Sequence, residues 1–148
     1  MEYHATIEWQ RNNGPYTYET YNRAHEWRFQ AVTVPASSAP EYRGDPERVN
    51  PEQALVAALS SCHMLTFLAI AVKKKLPLDS YSDEAVGYLE KNEAGRLVIS
   101  RAILRPKTQW SEGVTVADAD LEAMHHQAHQ GCIIANSVKT IVTVEPRK

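Results

Sequence analysis

Apolar, aromatic and β-branched positions near the start of the chain gather in three short clusters, Thr6 to Trp9, Tyr16 to Thr20 and Glu26 to Phe29, parted by turn formers such as Asn13-Gly14-Pro15. Clusters this short, rich in residues that suit a pleated surface, predict strands of an antiparallel meander. From Val34 to Pro51 the apolar period disappears and four prolines stand in its place. That stretch predicts a long surface loop, and long loops in compact domains tend to carry function. The pattern then changes abruptly: Ala54 to Val72 holds 19 residues without a single Asp, Glu, Lys or Arg. Asn50 stands where a helix cap belongs, Pro51 at the first helical position and Glu52 in the first turn facing the helix dipole, so this run starts as a helix. Lys73, Lys74 and Lys75 suit its negative end, and Pro77 stops it. Such a run is long enough to cross a membrane. Ser60, Ser61, His63 and Thr66 interrupt it, however, and the flanking strands need an apolar partner, so a buried central helix is expected.

Beyond the helix, Ser82 to Glu90 and Arg96 to Leu104 alternate as two strands, joined as a hairpin through Asn92-Glu93-Ala94-Gly95. Leu121, Met124 and Ala128 are spaced for one face of a second helix over Ala117 to Gln130, and Ser137 to Val144 reads as a final strand. Strands, helix, strands, helix, strand describe an α+β domain, with no internal repeat. A chain of 148 residues is expected to form one domain over its whole length, 1–148, burying about 70% of the surface that it exposes when unfolded.

Sixteen basic residues face 18 acidic ones, giving a formal charge of −2. The lysines and arginines are scattered rather than gathered into a stripe that could displace counterions, so no nucleic-acid partner is expected. The first residues, Met1 to Gln10, lack the basic start and apolar core of an export signal, which points to a cytoplasmic protein. In that reducing compartment the two cysteines, Cys62 and Cys132, are not expected to form a permanent structural bridge.

Each cysteine alone reads as a small core residue. Both border helices of one small core, where they could approach to the Cα separation of about 4.4 to 6.8 Å that a disulfide needs, and a pair of that kind can switch. A reactive cysteine must be a thiolate, which burial opposes, so positive charge has to be supplied. Arg43 and Arg48 lie just upstream of the helix, and Glu52 could hold a guanidinium through paired hydrogen bonds. A surface Arg48–Glu52 pair accounts for the same residues. Glu52 and Cys62 are ten residues apart, about 15 Å of helical rise, so either an arginine spans the gap or the helix breaks near Ser60-Ser61 and places Cys62 in a new first turn. A second cluster, His125, His129 and Cys132, falls at i, i+4 and i+7, and its residue types are ones that zinc accepts. Metal binding and hydrogen-bonded histidines both fit that spacing.

Asn50-Pro51-Glu52-Gln53, then Ala57-Ala58-Leu59-Ser60-Ser61-Cys62, and far downstream Ala128-His129-Gln130-Gly131-Cys132 together resemble the OsmC/Ohr superfamily of hydroperoxide-reducing proteins. The resemblance covers nearly the whole order of elements. It implies an OsmC-like fold, with antiparallel sheets packed around a buried central helix in an intertwined homodimer whose active sites lie at the subunit interface. It further implies a cysteine-based peroxidase for organic hydroperoxides, with Cys62 as the peroxidatic thiolate, Cys132 as the resolving thiol and Glu52 orienting a catalytic arginine. In one branch of the superfamily that arginine lies shortly before the glutamate, which points to Arg43; in the other it lies nearer the N-terminus, which points to Arg23 or Arg28. The implied partners are the hydroperoxide and a dithiol reductant of lipoyl type, with no cofactor, metal or membrane. Family members commonly follow the second cysteine with proline, whereas this chain continues Ile133-Ile134-Ala135. Two other readings use the same residues: a non-catalytic protein binding an apolar ligand at the dimer interface, or a metal-binding module built on His125, His129 and Cys132.

Overall fold

Three strands do pair near the N-terminus, but one of them comes from the stretch expected to be a loop. In the computed structural model, which describes residues 1–148, the chain divides into two compact units, Met1–Ala54 and Leu55–Lys148. In the first unit β1 (Thr6–Glu8), β2 (His25–Arg28) and β3 (Thr33–Ala36) form an antiparallel sheet in that order. Ile7 lies opposite Trp27, and Trp27 opposite Val34, so these three share a face. β3 contains Pro35, which its edge position tolerates because an edge strand can forgo one ladder donor.

Tyr16 to Thr20 is not a strand. The amides of Thr20 and Tyr21 both donate to the Thr17 carbonyl, at 3.2 and 2.9 Å, and the Thr17 and Thr20 hydroxyls bond each other at 2.8 Å. Local hydroxyl bonding of this kind gives the backbone an alternative to a ladder. After β3 a 3-10 turn, Pro40–Tyr42, ends on Arg43 in the left-handed region at φ 62°. Gly44 follows because nothing larger fits: a Cβ there would stand 1.6 Å from the Ser38 carbonyl oxygen.

The apolar run forms α1 (Pro51–Lys73) with the expected start. The Asn50 side chain accepts from the Gln53 amide at 2.8 Å, and the Gln53 side chain accepts from the Asn50 amide at 3.2 Å, a reciprocal cap. α1 runs without interruption through Ser60 and Ser61, so the break, one of the two alternatives, does not occur and Cys62 stays in mid-helix. Ser60 instead spends its hydroxyl on Asp83, at 2.5 Å.

In the second unit the expected strand Ser82 to Glu90 is two strands, β4 (Leu78–Asp83) and β5 (Val86–Lys91). Asp83 marks the division: its other carboxylate oxygen accepts from the Arg105 amide at 2.6 Å, between β6 (Leu97–Leu104) and β7 (Pro106–Trp110). β4 pairs antiparallel with β7, a strand the alternation did not reveal. β5 and β6 form the expected hairpin, its turn held by the Gly95 amide on the Asn92 carbonyl at 2.8 Å, with Gly95 at φ 72°. β8 (Ile141–Val144), shorter than expected, adds to β6 in parallel, so this sheet is not wholly antiparallel.

α2 (Asp118–Gly131) and a single helical turn, α3 (Ile133–Asn136), precede β8. Phe67, Ile70 and Ala71 of α1 meet Met124 and Ala128 of α2, with Leu78, Tyr81 and Trp110 closing over them. The fold is therefore α+β, sheets and helices sharing this core. α1 is only partly the buried helix expected: Leu59 and Phe67 are fully buried, but Leu65 is 60% and Val72 76% exposed.

Candidate functional site

Cys62 and Cys132 are brought together. Cys62 is half-buried and Cys132 only 1% exposed, and both are free thiols. Cys132 sits at the junction of two helices: its amide donates to the His129 carbonyl at 3.2 Å as α2 ends, and its Sγ accepts from the Ala135 amide at 3.4 Å as α3 begins. The Ile133 that replaces the usual proline thus starts a helical turn for which the cysteine is the cap. The Cys62 thiol is a neighbour of Cys132, close enough to perturb it. Burial pushes the Cys132 thiol above its ordinary pKa; the amides of Ala135 and Ile134 pull it down, and neighbouring Cys62 adds to the rise. The pair is thus unequal, Cys62 half-buried and Cys132 buried and favoured as a thiol.

Small side chains permit this approach. A Cβ on Gly131 would come within 3.1 Å of the Thr66 methyl, so the end of α2 lies close against α1. Thr66 in turn donates its hydroxyl to the Cys62 carbonyl at 2.9 Å.

Of the two readings of the histidine spacing, the structure shows hydrogen bonding rather than a metal cluster. His125 Nδ1 is 3.0 Å from His63 Nε2, and Cys132 is turned to Cys62. No three His, Cys, Asp or Glu side chains converge as metal ligands. Within the core the His63 and His125 rings lie nearly coplanar, 9° apart and 5.3 Å between centroids, and Phe67 stacks on His125 at 4.3 Å. Burial holds both imidazoles at a pKa of about 4 rather than 6.5. This pair was not legible in the sequence: His63 reads as an interruption of an apolar helix, and its partner lies 62 residues away.

In the first unit Arg23 and Glu52 line one cavity of about 510 Å³, together with Trp9, Tyr16, Tyr21 and Tyr42. Arg23 is 9% exposed and donates to the carbonyls of Tyr18 at 2.6 Å and Tyr21 at 3.0 Å, with its guanidinium 3.9 Å from the Tyr21 ring centroid. Glu52 Oε2 is buried without a hydrogen-bond partner. The other candidate arginines are elsewhere. Arg43 is exposed at the end of the 3-10 turn and does not line this cavity; Arg28 pairs with Glu8 at 3.0 Å. Arg48 pairs with Asp45 at 3.4 Å rather than with Glu52.

Residues 44–147 match the model of the OsmC-like protein family. An OsmC-like protein of unknown function from Vibrio cholerae is 41% identical, with 99% of each chain covered and a TM-score of 0.95. An organic hydroperoxide resistance protein OsmC from Legionella pneumophila, at 18% identity over 99% of this chain and 98% of that one, has the same fold at a TM-score of 0.70. OhrB, the organic hydroperoxide resistance protein of Bacillus subtilis, follows at 16% identity, 98% coverage of both chains and a TM-score of 0.65. No curated protein matches the chain. With its family model matched over most of its length and this cysteine pair at the meeting of α1 and α2, the chain belongs to the OsmC-like family.

Proposed function

We propose that the protein is a thiol-dependent peroxidase that reduces organic hydroperoxides, Cys62 acting as peroxidatic and Cys132 as resolving cysteine. The observation that carries this reading is the unequal pair, a half-buried Cys62 beside a buried Cys132 thiol. The Cys62 thiolate attacks one oxygen of the hydroperoxide; the O–O bond breaks, an S–O bond forms, and the alcohol leaves once its oxygen has taken a proton. The Cys132 thiol then displaces water from the Cys62 sulfenic acid, giving the Cys62–Cys132 disulfide. An external dithiol, for which the resemblance suggests a lipoyl-type carrier, reopens the bridge by exchange and is itself oxidised. The reducing cytoplasm is the compartment in which this cycle runs.

Arg23 is the arginine we assign to the developing charge, with Glu52 as its acidic partner, because these two share a cavity and Arg43 stands outside it. Within one chain the unbroken α1 separates Glu52 from Cys62 by about 15 Å of rise. The cysteine is therefore served by the Arg23–Glu52 pair of a second copy, in a homodimer that also covers the exposed Leu65 and Val72 of α1. The names of the Legionella and Bacillus proteins support an organic hydroperoxide as substrate.

The test is mass spectrometry of acid-quenched protein after one equivalent of cumene hydroperoxide. Loss of two hydrogens, mapped to Cys62 and Cys132, is expected with one equivalent of cumyl alcohol; two unmodified thiols under excess peroxide would refute the proposal.

A further inference from the structure

Cys62 is followed directly by a histidine that reaches across to the helix leading to Cys132. His63 is fully buried and His125 3% exposed, and their Nε2 to Nδ1 contact of 3.0 Å links α1 and α2 beside the Phe67 side chain of the core. One residue of α1 turns through about 100°, so fixing the His63 side fixes where Cys62 points. On α2, His125 and Cys132 are seven residues apart, close to two turns, so a rotation of α2 that moves His125 moves Cys132 with it. His125 is gripped twice: Phe67, one turn beyond His63, stacks on it, while His63 bonds it. A buried polar pair is costly unless fully satisfied, and here His63 Nδ1 and His125 Nε2 have no partner at all. An apolar pair would pack the core more cheaply. What the hydrogen bond adds is direction, which apolar contacts lack.

We infer that His63 and His125 are positioning residues, a polar staple that sets the rotation and height of α1 against α2 so that the Cys62 and Cys132 sulfurs meet. The inference rests on the proposed Cys62–Cys132 disulfide, but not on peroxide being its oxidant.

The test replaces both histidines, His63→Leu together with His125→Leu, which removes both unpartnered ring nitrogens and keeps apolar side chains of similar size in their place. Wild type and double variant are equilibrated in reduced and oxidised dithiothreitol, and the fraction of Cys62–Cys132 disulfide gives the effective concentration of one thiol at the other. The double variant is expected to melt cooperatively, yet to show an effective concentration lower by up to about a hundredfold, the scale on which a misplacement of about 1 Å penalises intramolecular reaction. Bridge formation at the wild-type equilibrium in a folded double variant would overturn the inference. Should that variant not fold, His125→Asn keeps a polar partner on a shorter arm: a fall in effective concentration supports the staple and a wild-type value overturns it. A wild type that bridges in dithiothreitol but ignores cumene hydroperoxide would refute the peroxidase while leaving the staple in place.

Discussion

Acid should loosen this protein earlier than its surface carboxylates alone would. His63 and His125 are buried together, and desolvation holds each at a pKa of about 4 in the folded chain, against about 6.5 when unfolded. Between those values the unfolded chain binds protons that the folded chain refuses, so stability falls as pH drops below about 6.5 and the loss is complete near pH 4. At about 1.36 kcal/mol per pH unit, a pKa lowered by this amount corresponds to about 3 kcal/mol. The unfolded chain takes a proton on each ring, so the two contributions add and the loss expected for the pair is about 6 kcal/mol. That is a large part of the stability of a domain this size. The assay is urea unfolding at pH 7 and pH 4.5, on wild type and on the His63→Leu, His125→Leu double variant. Carboxylates titrate alike in both, so the difference isolates the histidines. Wild type should lose about 5 kcal/mol more than the double variant. Equal losses would refute the reasoning, since the imidazoles would then be able to take up protons without opening the core.

Four substitutions probe other parts of the account. Gly44→Ala drives a methyl into the Ser38 carbonyl and should cost about 3 kcal/mol, the upper end for overpacking, read from the urea midpoint. Asn50→Ala removes the side chain that accepts from the Gln53 amide and should cost about 1 kcal/mol by the same measurement. Arg23→Lys should slow sulfenic acid formation at Cys62 by about a hundredfold in stopped-flow single turnover, while Arg43→Lys leaves it unchanged; the reverse order would move the catalytic arginine to the exposed turn.

The parts of the fold legible in the sequence are those written in local chemistry. Asn50, Pro51 and Glu52 announce the start of α1 because a helix end needs a cap, a residue without a useful amide and an acid, whatever surrounds it. Asn92 and Gly95 announce the β5–β6 turn for a similar reason. What could not be read depends on distant partners. β3 carries a proline and is a strand only because β2 lies beside it, and β7 is one only because β4 does. Tyr16 to Thr20 has the composition of a strand, yet the Thr17 and Thr20 hydroxyls satisfy each other locally. At the site, Cys62 and Cys132 were legible as a pair through their motifs, and the structure adds why they differ, through the burial of Cys132 at the α2–α3 junction. The choice among arginines was not legible, because it depends on which of them shares a cavity with Glu52. The histidine spacing on α2 suggested a metal, but spacing along one helix carries no information about His63 on another.

The most direct test of the central claim is stopped-flow mixing of the reduced protein with cumene hydroperoxide, beside Cys62→Ser and Cys132→Ser, with the products identified by mass. The account predicts rapid consumption of peroxide by wild type ending in the Cys62–Cys132 disulfide, no reaction in Cys62→Ser, and a sulfenic acid stranded on Cys62 in Cys132→Ser. Consumption of peroxide by Cys62→Ser at the wild-type rate, or the survival of both wild-type thiols in excess peroxide, would contradict it.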